Sequence, residues 1–127
     1  MNVRFPAYIL GLALSTIASA QAPGISVSIL VQSSPLAGFR YYDAKALWDE
    51  MKVGDALELV REPDNPHDAN AVGVEWRGHK LGYVPRRENA DVARQIDRGA
   101  NVRARISKLQ TSRTPFQRIE FEIYVDL

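Results

Sequence analysis

The chain reads as a mainly β protein, a small barrel or sandwich of about six strands with two short helices. Three observations predict this. Short stretches of period-two alternation recur along the chain, separated by turn residues. The apolar stripes at helical spacing are brief and weak. No strand–helix–strand alternation of the kind that builds a parallel sheet is present. A length of 127 residues allows one domain, and 46% apolar residues suffice for a small core.

The first residues stand apart from the fold. Arg4 supplies a short positive region, and Ala7 to Ala18 is an apolar run too short to span a bilayer. Ala18-Ser19-Ala20 has the small-residue pattern of a cleavage site. The expectation is a signal peptide over residues 1–20, a short leader over 21–24 and a domain over 25–127. Cleavage after Ala20 implies a bacterial protein in the periplasm or secreted, with no membrane attachment.

In chain order, Ile25-Ser26-Val27-Ser28-Ile29-Leu30-Val31 alternates as a strand, and Ser33-Ser34-Pro35 marks a loop over 32–37. Gly38 to Tyr42 reads as a short extended segment. Asp43 can cap a helix over Ala44 to Met51, with Ala46, Leu47 and Met51 on its apolar face. Ala56 to Val60, Asn70 to Trp76 and His79 to Val84 are the next strands, with Arg77-Gly78 as a hairpin turn. Pro85 opens a helix over Arg86 to Arg98, striped by Ala90, Ala93 and Ile96 and ended by Gly99. Asn101 to Leu109 sets Val102, Ala104, Ile106 and Leu109 against Arg103, Arg105 and Lys108, a half-buried strand with a basic outer face. A polar loop, Gln110 to Phe116, precedes the closing strand, Gln117 to Val125. Trp48 and Trp76 sit among apolar neighbours and are assigned to the core.

Charge is balanced but segregated. Beyond residue 20 there are 15 basic and 15 acidic side chains. Asp43 to Glu75 holds nine acids against three bases, and Arg77 to Arg118 eleven bases against three acids. Such segregation builds a local positive field if the basic half shares a face, and cancels if the halves pair. The absence of cysteine excludes disulfides and thiolate zinc sites. No G-x-x-x-x-G-K-[ST] phosphate loop occurs, nor any H-x-x-x-H or H-E-x-x-H motif. Asp64, His67, Asp68 and His79 therefore imply no metal site, and no cofactor is expected.

The stretch Val60 to Pro85 organises the rest. Pro63 and Pro66 stop helix and ladder alike, because each fixes φ and lacks a backbone donor. Asp64, Asn65 and Asp68 can fold onto neighbouring N–H groups, stiffening the loop as Asx turns. A rigid polar loop thus stands beside a hairpin. Upstream, Arg40-Tyr41-Tyr42 pairs a planar cation with two aromatics, which on a strand would point to opposite faces, so at most one is core. A surface tyrosine can stack a base, a contact worth about 1–3 kcal/mol.

The run Asp64-Asn65-Pro66-His67-Asp68-Ala69-Asn70-Ala71-Val72, followed by Gly78-His79-Lys80-Leu81-Gly82-Tyr83-Val84-Pro85 and preceded by Gly38-Phe39-Arg40-Tyr41-Tyr42, resembles the HIRAN domain family. The resemblance spans Ile25 to Asp126. It implies a partly open OB-like barrel that captures single-stranded DNA at a 3′-hydroxyl end. On that reading Arg40, Arg86 and Arg87 hold phosphates, while Tyr41, Tyr42 and Tyr83 stack bases. Asp68 accepts the terminal hydroxyl, with Asn65 and His67 beside it and Phe116 as a further aromatic wall. His67 stands where family members often carry an aromatic ring. HIRAN domains often precede helicase-like ATPases and zinc RING modules, and this sequence carries neither signature. The expectation is a monomeric binding module and not an enzyme, with no protein partner named. An export signal fits the alternative, an envelope interaction module using the same groove for a ligand other than nucleic acid.

Overall fold

The computed structural model of the protein describes residues 11, 24–111, 113 and 118–127. Six antiparallel strands form one strongly curved sheet: β1 (Ser28–Pro35), β2 (Ala56–Arg61), β3 (Val72–Trp76), β4 (His79–Tyr83), β5 (Asn101–Leu109) and β6 (Ile119–Asp126). Their order is β1-β6-β5-β2-β3-β4. Among the described residues the two edges of the sheet are bridged at one point. Ala37, just past β1, exchanges two backbone hydrogen bonds of 2.9 Å with Tyr83 at the end of β4. The result is the partly open barrel that the sequence predicts.

Gly82 makes that closure feasible. A Cβ there would lie 2.1 Å from the carbonyl oxygen of Ala37 and 3.1 Å from the Leu36 side chain. Two backbones meet where any side chain would hold them apart.

The interior is filled from β2 to β6 and by Leu36 just past β1. Leu36, Val72, Val74, Leu81, Ile106, Phe121 and Ile123 are fully buried, and Trp76 is nearly so. Burying each large apolar side chain contributes about 1.5–3 kcal/mol. On β5 the apolar phase jumps from Ile106 to Leu109 because the register against β6 shifts between Ile106 and Lys108. That bulge absorbs one residue and keeps Lys108 outside. The β3–β4 turn has φ of 48° at Arg77 and 81° at Gly78, as a two-residue I′ hairpin requires.

The structure differs from the sequence reading in four local places. β1 begins at Ser28 and runs through Ser33-Ser34-Pro35, because Ser33, Ser34 and Pro35 pair with Glu122, Phe121 and Glu120. An edge strand tolerates proline where no ladder donor is needed. Gly38 to Tyr42 is a single 3-10 turn, Phe39–Tyr41, entered through Gly38 at φ 79°. The helix expected over Ala44 to Met51 is reduced to turns and a 3-10 segment, Trp48–Glu50. A hydrogen bond of 3.0 Å from Asp43 N–H to the Lys80 carbonyl ties one end to β4, and Met51 enters the core extended at the other. Tied at both ends, the segment closes as turns instead of a continuous helix. Last, the helix expected from Arg86 splits into a 3-10 turn, Arg86–Glu88, and α1 (Ala90–Asp97), which Asn89 opens by accepting from Ala93 N–H at 2.9 Å. Gly99 ends α1 as predicted, with Ala100 N–H reaching the Gln95 carbonyl at 3.1 Å and Gly99 N–H the Ile96 carbonyl at 2.9 Å.

Candidate nucleic-acid interface

The loop between β2 and β3 folds as a ladder of turns. Glu62 N–H bonds the Ala71 carbonyl at 3.0 Å, Asn65 N–H that of Glu62 at 3.1 Å, and Ala71 N–H that of Asp68 at 3.1 Å. Two Asx turns lock it further. Asn65 Oδ1 accepts from His67 N–H, and Asp68 Oδ1 from Asn70 N–H, each at 2.9 Å. Arg61 clamps the loop from below, donating to the Ala71 carbonyl at 3.0 Å and pairing with Asp97 of α1 at 3.0 Å.

Beside this loop, where β1 meets β4, lies an open pocket of about 290 Å³. Its lining comes from four places: Ala37 after β1, Tyr42 after the 3-10 turn, the loop residues Asn65, His67, Asp68 and Ala71, and Tyr83, Val84, Arg86 and Asn89 around the hairpin exit. Tyr42 and Tyr83 form one wall, edge to face at 5.7 Å with an interplanar angle of 68°. Gly38 permits the turn, since a Cβ there would stand 3.3 Å from the Tyr42 ring.

At the opposite end Asp68 is held by both oxygens. Oδ1 caps Asn70, and Oδ2 accepts from the amide of Asn89 at 2.7 Å. Asn89 is 2% exposed, so its orientation is set by packing. Partial desolvation works to raise the Asp68 pKa. The hydrogen bonds from Asn70 and Asn89, aided by the nearby charges of Arg86 and Arg61, outweigh it and hold the carboxyl below its usual value. Asp68 is therefore ionised at neutral pH, and a carboxylate retains lone pairs for a further donor.

Behind the tyrosine wall lies a charged cluster. Lys80 Nζ pairs with Glu62 Oε2 at 2.8 Å and also contacts the Tyr83 hydroxyl. That hydroxyl donates to Glu62 Oε1 at 2.9 Å, and Asn65 Nδ2 donates to the same oxygen at 3.2 Å. For both Glu62 and Lys80 desolvation opposes the charged form, but their mutual pairing wins. The Glu62 pKa is lowered and that of Lys80 raised.

Six residues singled out in the sequence line the pocket: Tyr42, Asn65, His67, Asp68, Tyr83 and Arg86. Arg40, Tyr41 and Arg87 do not; all three are exposed, Tyr41 at 74%. Phe116 lies outside the described residues. Neither tyrosine of the Arg40-Tyr41-Tyr42 trio enters the core, because the segment is a turn and not a strand. Phe39 enters instead, packed edge-on against the half-buried Trp48 at 5.9 Å. Sequence reasoning missed Ala37, Ala71, Val84 and Asn89 in the lining, and Glu62 and Lys80 behind it. An asparagine directly before Ala90-Asp91 at a helix start was the one readable signal among them.

Among the described residues no three His, Asp or Glu side chains converge as a metal site. His79 Nδ1 faces Asp43 Oδ2 at 3.4 Å instead. A second concavity of about 250 Å³, between β1 and α1, contains none of the residues singled out.

A curved antiparallel sheet with one aromatic, charged pocket at its seam defines a small β-barrel binding module. A family model described as HIRAN domain matches residues 29–127, and the chain belongs to that family, whose members are nucleic-acid-binding modules. A crystal structure of a protein from Lactobacillus plantarum, a structural genomics target, is similar at 28% identity and a TM-score of 0.69, covering 80% of this chain and 98% of that one. The HIRAN domain of human HLTF shares the fold at 20% identity and a TM-score of 0.60, over 80% of this chain and 78% of that one. Among curated proteins there is no match.

Proposed function

We propose that the pocket captures the 3′-hydroxyl end of single-stranded DNA. The observation that carries this reading is Asp68, an ionised carboxylate pinned on a rigid turn at the end of an aromatic-walled pocket. A free hydroxyl can donate to its remaining lone pairs. A terminal phosphate would instead bring like charge against it. Tyr42 and Tyr83 supply the stacking wall, and Arg86 a phosphate partner. Arg40 and Arg87, both exposed, would add phosphate contacts along the bound strand. Binding and not catalysis is the role of the isolated domain. Export after Ala20 would offer it the ends of extracellular DNA, and mass spectrometry of the purified N-terminus tests that cleavage.

The decisive experiment is fluorescence anisotropy with short single strands ending in 3′-hydroxyl or 3′-phosphate. A hydrogen bond to a charged group contributes about 1.5–3 kcal/mol, so preference for the hydroxyl should be about tenfold or more. Asp68→Ala should bring the two affinities together while general binding persists. Equal affinity of the unaltered protein for both ends would rule the reading out.

A further inference from the structure

The Glu62–Lys80 pair has a role that stacking and hydroxyl capture leave unassigned. Lys80 is the cation nearest the tyrosine wall, 4.1 Å from the centre of the Tyr83 ring and 5.1 Å from that of Tyr42. In a nucleic-acid pocket such a lysine would ordinarily be a phosphate contact. Here it is not part of the lining, and its ammonium is spent on Glu62 and Tyr83. Gly73 preserves the room for this arrangement: a Cβ there would lie 3.1 Å from Glu62 Oε2 and 3.8 Å from Lys80 Cε. Glu62 meanwhile joins three parts of the site, since it also accepts from Asn65 of the loop and Tyr83 of the wall.

Resting on the strand-end reading above, we infer that Glu62 is a specificity-determining counter-charge. It withholds Lys80 from phosphates and keeps it as a cation over the two tyrosine rings. The pocket then recognises a terminal nucleotide by stacking and by its hydroxyl, and not by indiscriminate attraction for the backbone. Glu62 touches no ligand in this scheme; it acts through Lys80 and the tyrosines.

The test compares the unaltered protein with Glu62→Gln and with the double variant Glu62→Gln, Lys80→Met. The glutamine keeps the shape and the hydrogen-bonding oxygen but removes the charge. Binding to 3′-hydroxyl and 3′-phosphate strands is measured across a salt series. Freeing one lysine should steepen the slope of log K against log salt by about 0.7 and narrow the discrimination between the two ends. Lys80→Met in the same background should restore the shallower slope. A merely structural role for Glu62 would lower affinity without steepening the slope.

Alkaline ultraviolet titration of the tyrosines supplies an arm independent of DNA. Desolvation and Glu62 both raise the Tyr83 pKa, whereas Lys80 lowers it. In Glu62→Gln the uncompensated ammonium should make one tyrosine ionise at lower pH. That shift in a protein that binds no strand would support the counter-charge and overturn the strand-end function. Strand binding with an unchanged salt slope in Glu62→Gln would overturn the counter-charge role alone.

Discussion

The outer face of β5 carries Arg103, Arg105 and Lys108, yet the pocket has the better claim to an anionic ligand. On the outer face each arginine meets a cross-strand carboxylate. Arg103 pairs with Asp126 at 2.6 Å, and Arg105 with Glu122 at 3.1 Å while lying 4.7 Å over the Tyr124 ring. The arginine side chains are more than half exposed, and pairs so open to solvent contribute little to stability. At the pocket the reverse holds. Arg86 borders the cavity near Asp68, and among the described residues it forms no ion pair within 4.0 Å. The comparison teaches that a run of basic residues in sequence is no measure of a positive field. What counts is whether the fold places acids within reach.

The strongest challenge to the pocket is mechanical. Gly82→Val should force β4 away from Ala37, whose carbonyl oxygen stands 2.1 Å from the new Cβ. The expected loss is about 3 kcal/mol in urea unfolding, with strand binding abolished. A variant of wild-type stability would show that the seam does not depend on that close approach.

A smaller effect separates the two regions directly. Arg86→Gln should weaken strand binding and reduce the salt slope by about 0.7, whereas Arg103→Gln with Arg105→Gln should leave the slope unchanged. The outer pair should also leave the urea midpoint nearly unchanged. If the outer pair changes the slope and Arg86 does not, the ligand lies on the sheet face.

The smallest effect is in acid. The Glu62 and Asp68 carboxyls titrate below their ordinary values of 4.5 and 3.8. Their stabilisation is therefore complete above the unfolded values and lost as pH falls through the folded ones. Urea midpoints measured from about pH 6 to about pH 3 should fall less steeply in Glu62→Gln with Asp68→Asn than in the unaltered protein. Glu122→Gln with Asp126→Asn, carboxyls paired with arginines that are more than half exposed, should flatten that fall less. The opposite ranking would contradict the contrast drawn here.

Local chemistry made much of this protein legible in its sequence. The alternation on β5, the Arg77-Gly78 turn and the Asx turns of Asn65 and Asp68 each follow from neighbours a few residues apart. So does the order of motifs that marks a HIRAN domain. Tertiary structure decided what depends on distant partners. Pro35 became part of a strand because β6 offered a ladder, and Tyr42 became a wall because Tyr83 stood opposite. The Asn89 amide turned to Asp68 while its backbone still opens the helix, and Lys80 lost its free charge to Glu62. Turns and periodicities are set by steric and hydrogen-bonding rules within a few residues. The fate of a charge or an aromatic face depends on which side chain the folded sheet brings against it.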